Sequence, residues 1–232
     1  MRLDTVFLDI DNTLLDFRKG ALQSIRDGFE AFGLTYTDDV GEAFFRINNA
    51  LWRQIEAGSL TRERLHEIRW NTIFADRGIT ADGPAFEAAF RRGINENAVP
   101  VDGARELLDF LKTGFRVFAA SNADFAQQEY RLNKAGLLPY FDGLFVSDRI
   151  GAPKPSRAFF ETCIRLANTP AERILMIGDS PAADIAGAAA CGLATCLYAP
   201  DGFVPADGIR PDLTVSSLVE IKNCLSGGRF FV

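Results

Sequence analysis

Histidine is nearly absent from this chain, since His66 is the single histidine among 232 residues. Zinc sites of the HExxH type need at least two imidazole ligands, so the sequence excludes them. The four cysteines, Cys163, Cys191, Cys196 and Cys224, contain no CxxC pair. They therefore indicate neither a zinc ribbon nor a disulfide framework, and we expect buried free thiols. Any catalysis must depend mainly on carboxylates.

Cationic side chains are also in the minority, with 25 Lys and Arg against 31 Asp and Glu and a formal charge of −6. A protein that grips nucleic acid needs clustered cations to displace counterions, so we expect no nucleic acid polymer as a partner. No apolar run approaches the roughly 20 residues that span a bilayer. Acidic residues within the first eleven positions argue against a signal peptide, so we expect a cytoplasmic protein without membrane association.

The composition is that of a globular protein, with 47% hydrophobic and 24% charged residues. The length fits one large domain or two smaller ones. Phenylalanine supplies 20 residues, against 4 tyrosines and 2 tryptophans. This bias indicates aromatic rings used as apolar filling of a core.

Short apolar runs that end in polar residues alternate with helical patterns. This alternation predicts an α/β fold whose core is a doubly wound, mostly parallel sheet. The predicted strands are 5–9, 115–120, 144–146, 174–177 and 194–197, with 213–215 as a possible sixth, and the predicted helices between them are 103–112, 125–135, 157–167 and 182–190.

One long stretch interrupts the alternation. From about residue 17 to residue 95 the sequence shows helix-period patterns separated by breaks at Gly33, 57–59, Gly78 and 82–84. Three or four helices without a strand cannot extend a parallel sheet. We therefore predict an all-helical module, 17–95, inserted after the first strand of a core formed by 1–16 and 96–232, over the edge where open α/β sheets bind ligands.

Two carboxylates end the first predicted strand, in the run Asp9-Ile10-Asp11-Asn12-Thr13. In extended geometry side chains two residues apart point to the same side. Their repulsion is relieved by a shared proton or by a hard cation such as Mg²⁺. The alternative is that these residues simply form a turn at the end of the strand.

Further carboxylates follow the predicted strand 174–177, at Asp179 and Asp184. Gly178 allows the backbone to approach closely, and Pro181 suits a first helical turn. Asp179 is then placed to join the pair at the first strand. A helix cap at Asp179 or Ser180 is the alternative, but it gives no reason for Asp184.

Three polar residues in two other segments are suited to binding an anion. Ser121 and Asn122 end the second predicted strand and precede a helix, where they either bind an anion or cap the helix. Lys154 lies between Pro153 and Pro155, which stiffen the loop around its ammonium group. A fixed ammonium suits a phosphate site, and an ordinary surface lysine is the alternative.

Together, these residues in this order resemble the four sequence motifs of the haloacid dehalogenase (HAD)-like hydrolase superfamily, and the helical insertion resembles that family's C1 cap. The resemblance implies a Rossmann-like core and a Mg²⁺-dependent phosphomonoester hydrolase that forms an aspartyl-phosphate. It implies that Asp9 is the nucleophile and Asp11 the general acid and base. The remaining implied roles are substrate binding by Thr13, Ser121, Asn122 and Lys154, catalytic stabilisation by Ser121 and Lys154, and Mg²⁺ binding by Asp9, the backbone carbonyl of Asp11, Asp179 and Asp184, the last through water or by orienting Lys154.

Other segments point to one branch of the superfamily. The runs 48–52, 58–61, 192–196 and 214–218 are similar to the pyrimidine 5′-nucleotidase branch, which implies nucleoside monophosphates as substrates. The alternatives are a sugar-phosphate phosphatase or phosphomutase, a non-catalytic binding protein, or a dehalogenase, which the presence of Asp11 disfavours. A monomer and a homodimer are both compatible with the sequence.

Within the predicted module, Trp52 either stacks on a base or packs into the core, and its position on an apolar helix face favours packing. For Arg53 and Arg69 we expect a solvated helix face rather than a substrate contact. His66 lies in a charged helix and receives no role.

Overall fold

A computed structural model describes residues 3–202 and 208–227. The chain divides into two compact units. The described residues up to Asp16 and from Val99 onward form the first, here called the core unit. Phe17–Ala98 form the second, here called the helical unit. Where the chain leaves and re-enters the core unit, the backbone N–H of Asp16 donates to the carbonyl of Val99 over 2.8 Å.

The core unit contains a six-stranded sheet in the order β3-β2-β1-β4-β5-β6, and all five strand pairs are parallel. This confirms the predicted doubly wound α/β fold. The strand order reverses at β1, whose neighbours are β2 and β4, and a ligand crevice in such sheets lies at the carboxyl ends of the strands at this point. The strands are β1 (Thr5–Leu8), β2 (Arg116–Ser121), β3 (Gly143–Val146), β4 (Ile174–Gly178), β5 (Ala194–Tyr198) and β6 (Leu213–Val215).

The helices of the core unit differ from the prediction in three places, one of which is the unpredicted short helix Ser147–Ile150. The predicted helix 182–190 is a π-helix, Pro181–Ala186, followed by a short α-helix. A C-terminal helix was not predicted, although Ser217 accepts a hydrogen bond from the backbone of Glu220 as an N-cap should. The α-helices are α5 (Ala104–Leu111), α6 (Phe125–Lys134), α7 (Ser147–Ile150), α8 (Arg157–Ala167), α9 (Gly187–Ala189) and α10 (Leu218–Ser226), and Leu138–Tyr140 and Ala171–Arg173 are 3-10 turns.

The helical unit consists of α1 (Phe17–Ala31), α2 (Asp38–Glu56), α3 (Arg62–Arg77) and α4 (Gly83–Glu96), and no strand occurs within Phe17–Ala98. The predicted breaks separate these helices. Gly78 ends α3 in the left-handed conformation with φ 66°, which costs a glycine little.

An aromatic cluster fills the helical unit. The fully buried rings of Phe44, Trp70, Phe86 and Phe90 contact one another, with Trp70 and Phe86 4.3 Å apart between ring centroids. Trp52 is half-buried and packs against this cluster. The packing interpretation of Trp52 is therefore supported, and phenylalanine fills the core as its abundance indicated.

Arg69 is buried, with 4% of its surface exposed, so the expectation of a solvated helix face is wrong for this residue. Its guanidinium donates to Glu87 from Nε over 3.0 Å and from Nη2 over 2.5 Å. It also donates from Nη1 to Oδ1 of Asn48 over 2.9 Å. Three helices thus meet at one buried ion pair. Helical periodicity did not predict this ion pair, because the partners of Arg69 lie 18 and 21 residues away along the chain.

The cysteine prediction is correct in part. All four are free thiols, but Cys191 and Cys224 are only half-buried. Across residues 3–202 and 208–227, no helix is both long enough and apolar enough to cross a membrane.

We predict that Arg69→Met lowers the free energy of unfolding of the helical unit by about 3–5 kcal/mol, since it leaves Glu87 charged and buried without its partner. Chemical denaturation followed by the fluorescence of the tryptophans measures the change. The matched control is Arg64→Met, which breaks the exposed pair with Glu67 and should cost less than about 1 kcal/mol. Equal losses in the two variants would contradict the prediction.

Candidate active site

The polar residues singled out in the sequence lie at the carboxyl ends of three neighbouring strands. Asp9 follows β1, Ser121 ends β2, and Asp179 follows β4. Since β1 pairs with both β2 and β4, these ends meet at one edge of the sheet. Lys154 reaches the same place from the loop between α7 and α8.

Lys154 is buried, with 2% of its surface exposed, so the surface-lysine alternative is wrong. Its ammonium group donates to Oδ1 of Asp9 over 2.7 Å and to Oδ1 of Asp184 over 2.6 Å. A third bond of 2.7 Å reaches the carbonyl of Ala120. An ammonium group has three donors, so these contacts fix its position fully.

Asn122 holds the loop that carries Lys154. Its side chain donates from Nδ2 to the carbonyl of Lys154 over 2.8 Å and accepts at Oδ1 from the backbone N–H of Lys154 over 2.7 Å. Both ends of the amide are therefore engaged with the backbone of this loop. A contact of Asn122 with substrate stays a prediction.

Three carboxylates converge beside Lys154, and two of them, Asp9 and Asp184, bind its ammonium group. Asp9, Asp179 and Asp184 each place an oxygen within 4.8 Å of the others. Burial raises the pKa of Asp9 to about 7, with Lys154 opposing the shift and Asp184 adding to it. Burial, together with Asp9 and Asp184, likewise raises the pKa of Asp179 well above its ordinary value. One ammonium does not neutralise three carboxylates.

The pKa of Lys154 is also shifted, by two effects of opposite sign. Burial alone would lower its pKa, but the adjacent charges of Asp184 and Asp9 outweigh burial and raise the pKa above its ordinary value. The ammonium therefore remains charged, and it is the cationic partner of these carboxylates.

Asp184 is fixed by a second set of contacts. Its Oδ2 accepts from the backbone N–H of Ser180 over 3.0 Å, while Oδ1 faces Lys154. Ser180 also caps the π-helix by accepting from Ala183. A Cβ atom on Gly178 would lie 2.2 Å from Oδ2 of Asp184, so only glycine fits there. Capping and the placement of Asp184 thus occur together rather than as alternatives.

Asp11 has partners of its own, outside the carboxylate group described above. Its Oδ1 accepts from Nη1 of Arg131 over 2.6 Å, and its Oδ2 accepts from Nε2 of Gln128 over 2.7 Å. The side chain remains 29% exposed. The chain turns directly after it at Asn12, which has φ 62°, in the left-handed region that asparagine tolerates.

Thr13 and Ser121 are both buried. Oγ of Ser121 accepts from Nε2 of Gln128 over 2.9 Å and from the backbone N–H of Ala123 over 3.3 Å. Within the described part of the chain, Oγ1 of Thr13 has no hydrogen-bond partner. The substrate contacts expected of Thr13 and Ser121 stay predictions.

Sequence reasoning missed Gln128 and Arg131. The signal was present in α6, where these two polar residues occupy the buried face together with Leu132. A polar residue at a core-facing helical position directly after a strand that ends in Ser121 indicates a buried polar network.

The donor set fits a hard divalent cation. Three carboxylates converge, two of them on buried residues, and such cations prefer oxygen ligands. The excess of negative charge over the single Lys154 ammonium favours a further positive charge at this place.

The family model for haloacid dehalogenase-like hydrolases matches residues 3–192. Among curated proteins, the chain is 33% identical over 226 residues to YfnB of Bacillus subtilis (strain 168), a protein named as a HAD-hydrolase, covering 97% of this chain and 96% of YfnB. The crystal structure of orthorhombic YfnB, described as bound to magnesium, superimposes with a TM-score of 0.90 over 97% of this chain and 99% of YfnB.

Two further relatives are named for an enzymatic activity. The chain is 30% identical to the pyrimidine 5′-nucleotidase YjjG of Escherichia coli (strain K12), covering 97% of this chain and 99% of YjjG. It is 29% identical to the pyrimidine 5′-nucleotidase PynA of Streptococcus pneumoniae (strain ATCC BAA-255 / R6), covering 95% of this chain and 94% of PynA.

We predict that Gly178→Ala displaces Asp184 and lowers the free energy of unfolding by about 1–3 kcal/mol, because the added methyl group overlaps the carboxylate. Thermal and urea unfolding measure the change. The control is Gly114→Ala, since a Cβ at this exposed position meets nothing within 4 Å. We expect that variant to stay within about 1 kcal/mol of wild type. A Gly178→Ala protein as stable as the Gly114→Ala protein would contradict the overlap.

Proposed function

Because the chain belongs to the haloacid dehalogenase-like hydrolase family, we propose that it hydrolyses phosphomonoesters with Asp9 as the nucleophile. One observation carries the proposal: the ammonium of Lys154 lies between Asp9 and Asp184, at the edge of the sheet where Asp11 is also held. A nucleophile, a group for proton transfer and a fixed positive charge are what phosphoryl transfer from an ester requires.

In the first step, an oxygen of Asp9 bonds to phosphorus and the bond from phosphorus to the ester oxygen breaks. Lys154 binds Oδ1 of Asp9, which leaves Oδ2 for this attack. Asp11 gives its proton to the departing oxygen, which keeps the bonding electron pair. The product is an aspartyl-phosphate on Asp9.

In the second step, a water oxygen bonds to phosphorus and the bond between phosphorus and Asp9 breaks. Asp11, now a carboxylate, takes the proton from that water. The positive charge of Lys154 and the hydroxyl group of Ser121 would stabilise the charge that accumulates on the phosphoryl oxygens in both steps. The cycle returns Asp9 as a carboxylate and Asp11 as an acid.

Asp9, Asp179 and Asp184, with the backbone carbonyl of Asp11, would hold Mg²⁺. The carboxylate cluster supports this assignment, as does the description of YfnB as bound to magnesium. When bound, the cation supplies charge neutralisation and Lewis-acid polarisation of the phosphate group. Asp184 would act on the ion through water or would orient Lys154, and its direct bond to Lys154 supports the second role.

For the substrate we propose pyrimidine nucleoside monophosphates. The names of YjjG and PynA support this choice, since both match along nearly their whole length. The helical unit, which begins at Phe17, four residues after Thr13, would act as the substrate-selecting cap. Thr13, Ser121 and Asn122 would complete the phosphate site. Sugar phosphates are the competing substrate class.

A panel of phosphomonoesters tests the proposed activity. We expect phosphate release in the presence of Mg²⁺, faster with pyrimidine nucleoside monophosphates than with purine nucleotides or sugar phosphates, and loss of release with a chelator. Asp9→Asn should lower turnover by a factor on the order of 10⁴ or more. If wild-type turnover were no faster than that of Asp9→Asn, the phosphatase proposal would be refuted. A preference for sugar phosphates would refute only the assignment of nucleotides as substrates.

Mg²⁺ binding is tested separately from turnover. At about 100 times its dissociation constant, Mg²⁺ should raise the free energy of unfolding by about 2.7 kcal/mol, because it binds only the folded chain. Asp179→Asn should weaken binding at least about 10-fold by calorimetry. The matched control is Asp38→Asn, at the exposed start of α2. If Mg²⁺ raised the free energy of unfolding of Asp179→Asn as much as that of wild type, the ion would bind elsewhere.

A further inference from the structure

Two side chains of α6 form a closed hydrogen-bonded network around Asp11. Nη1 of Arg131 donates to Oδ1 of Asp11 over 2.6 Å and to Oε1 of Gln128 over 2.9 Å. Nε2 of Gln128 donates to Oδ2 of Asp11 over 2.7 Å and to Oγ of Ser121 over 2.9 Å. Both oxygens of the Asp11 carboxylate are thus held, from two different residues.

The network allows one orientation of the Gln128 amide. Its two N–H donors face the carboxylate of Asp11 and the hydroxyl of Ser121, and its oxygen faces Arg131. Exchanging oxygen and nitrogen would set the amide oxygen against the carboxylate and the amide N–H groups against the guanidinium. Gln128 is fully buried, so no solvent compensates for such an exchange.

Packing alone does not account for Arg131. The residue is 3% exposed, and in the described part of the chain its Nε has no hydrogen-bond partner. Burying a guanidinium with an unpaired donor costs free energy that a leucine or methionine at this helical position would avoid. Asp11, by contrast, keeps 29% of its side chain exposed. The arrangement holds a reactive carboxylate in place while leaving it accessible.

We propose that Gln128 and Arg131 are positioning residues that fix the orientation of Asp11 and couple it to Ser121. This inference rests on the proposed function, in which Asp11 gives a proton to the departing ester oxygen and later takes one from the attacking water. Gln128 and Arg131 act through Asp11. A carboxylate released from them would rotate, and it would be misplaced for both proton transfers.

An aryl ester separates the two steps. p-Nitrophenolate leaves without needing a proton, so formation of the phosphoenzyme from p-nitrophenyl phosphate depends little on Asp11 as an acid. Breakdown of the phosphoenzyme still depends on Asp11 as a base. A defect in the orientation of Asp11 therefore slows the second step selectively.

The experiment is rapid-quench kinetics with p-nitrophenyl phosphate and Mg²⁺. For Gln128→Met, which nearly preserves size and removes both donors, we expect the initial burst of p-nitrophenolate to stay within about threefold of wild type. Breakdown of the phosphoenzyme should slow about 10- to 100-fold, with KM not raised. Arg131→Lys keeps the charge and should show the same pattern with a smaller loss. The control is Glu129→Gln, at the exposed position of α6 that follows Gln128, which should match wild type.

Distinct results overturn the inference. Equal slowing of both steps, a raised KM with kcat unchanged, or wild-type kinetics in Gln128→Met would each exclude a positioning role. Melting temperatures identify a variant that has lost its fold, and Arg131→Lys then decides the question alone. Absence of turnover in wild type would instead refute the proposed phosphatase function, a result that the variants cannot mimic.

Discussion

The ammonium group of Lys154 is the interaction on which the site depends. It joins Asp9 at the end of β1, Asp184 in the π-helix after β4 and the carbonyl of Ala120 in β2, so a single side chain ties together three neighbouring strands. Its charge offsets part of the repulsion among the buried carboxylates. Asn122 keeps the loop of Lys154 in place through two bonds to the backbone. Lys154 therefore links the strands of the core unit to the carboxylates of the candidate site.

The site separates two kinds of carboxylate by their surroundings. Asp9 and Asp184 are buried against Lys154, whose ammonium group offsets part of their negative charge. Asp11 lies only two residues beyond Asp9 but binds to Arg131 and Gln128 on α6 and remains partly exposed. These different environments are consistent with the different roles proposed for the two residues, Asp9 as nucleophile and Asp11 in proton transfer.

Local patterns predicted most of the fold, because four of the strands are short apolar runs that end at a polar residue and each break in the helical unit has its own turn residues. They also selected Asp9, Lys154, Asp179 and Asp184, which the structure brings together. Contacts distant in sequence were beyond local patterns. Gln128 lies 117 residues from Asp11, and the sequence around Gln128 does not indicate that Asp11 is its hydrogen-bond partner. Arg69 was wrongly expected to be solvated for the same reason.

The bond between Asp16 and Val99 closes the core unit at the two points where the helical unit is inserted. Since these two points are adjacent, the length of the insertion does not change the positions of Asp16 and Val99 or the register of the sheet. Mutations in the 82 inserted residues, Phe17–Ala98, can therefore accumulate without moving Asp9 or Lys154. In the proposed function, where the helical unit selects the substrate and the core unit carries the chemistry, the two properties can evolve at different rates within one chain.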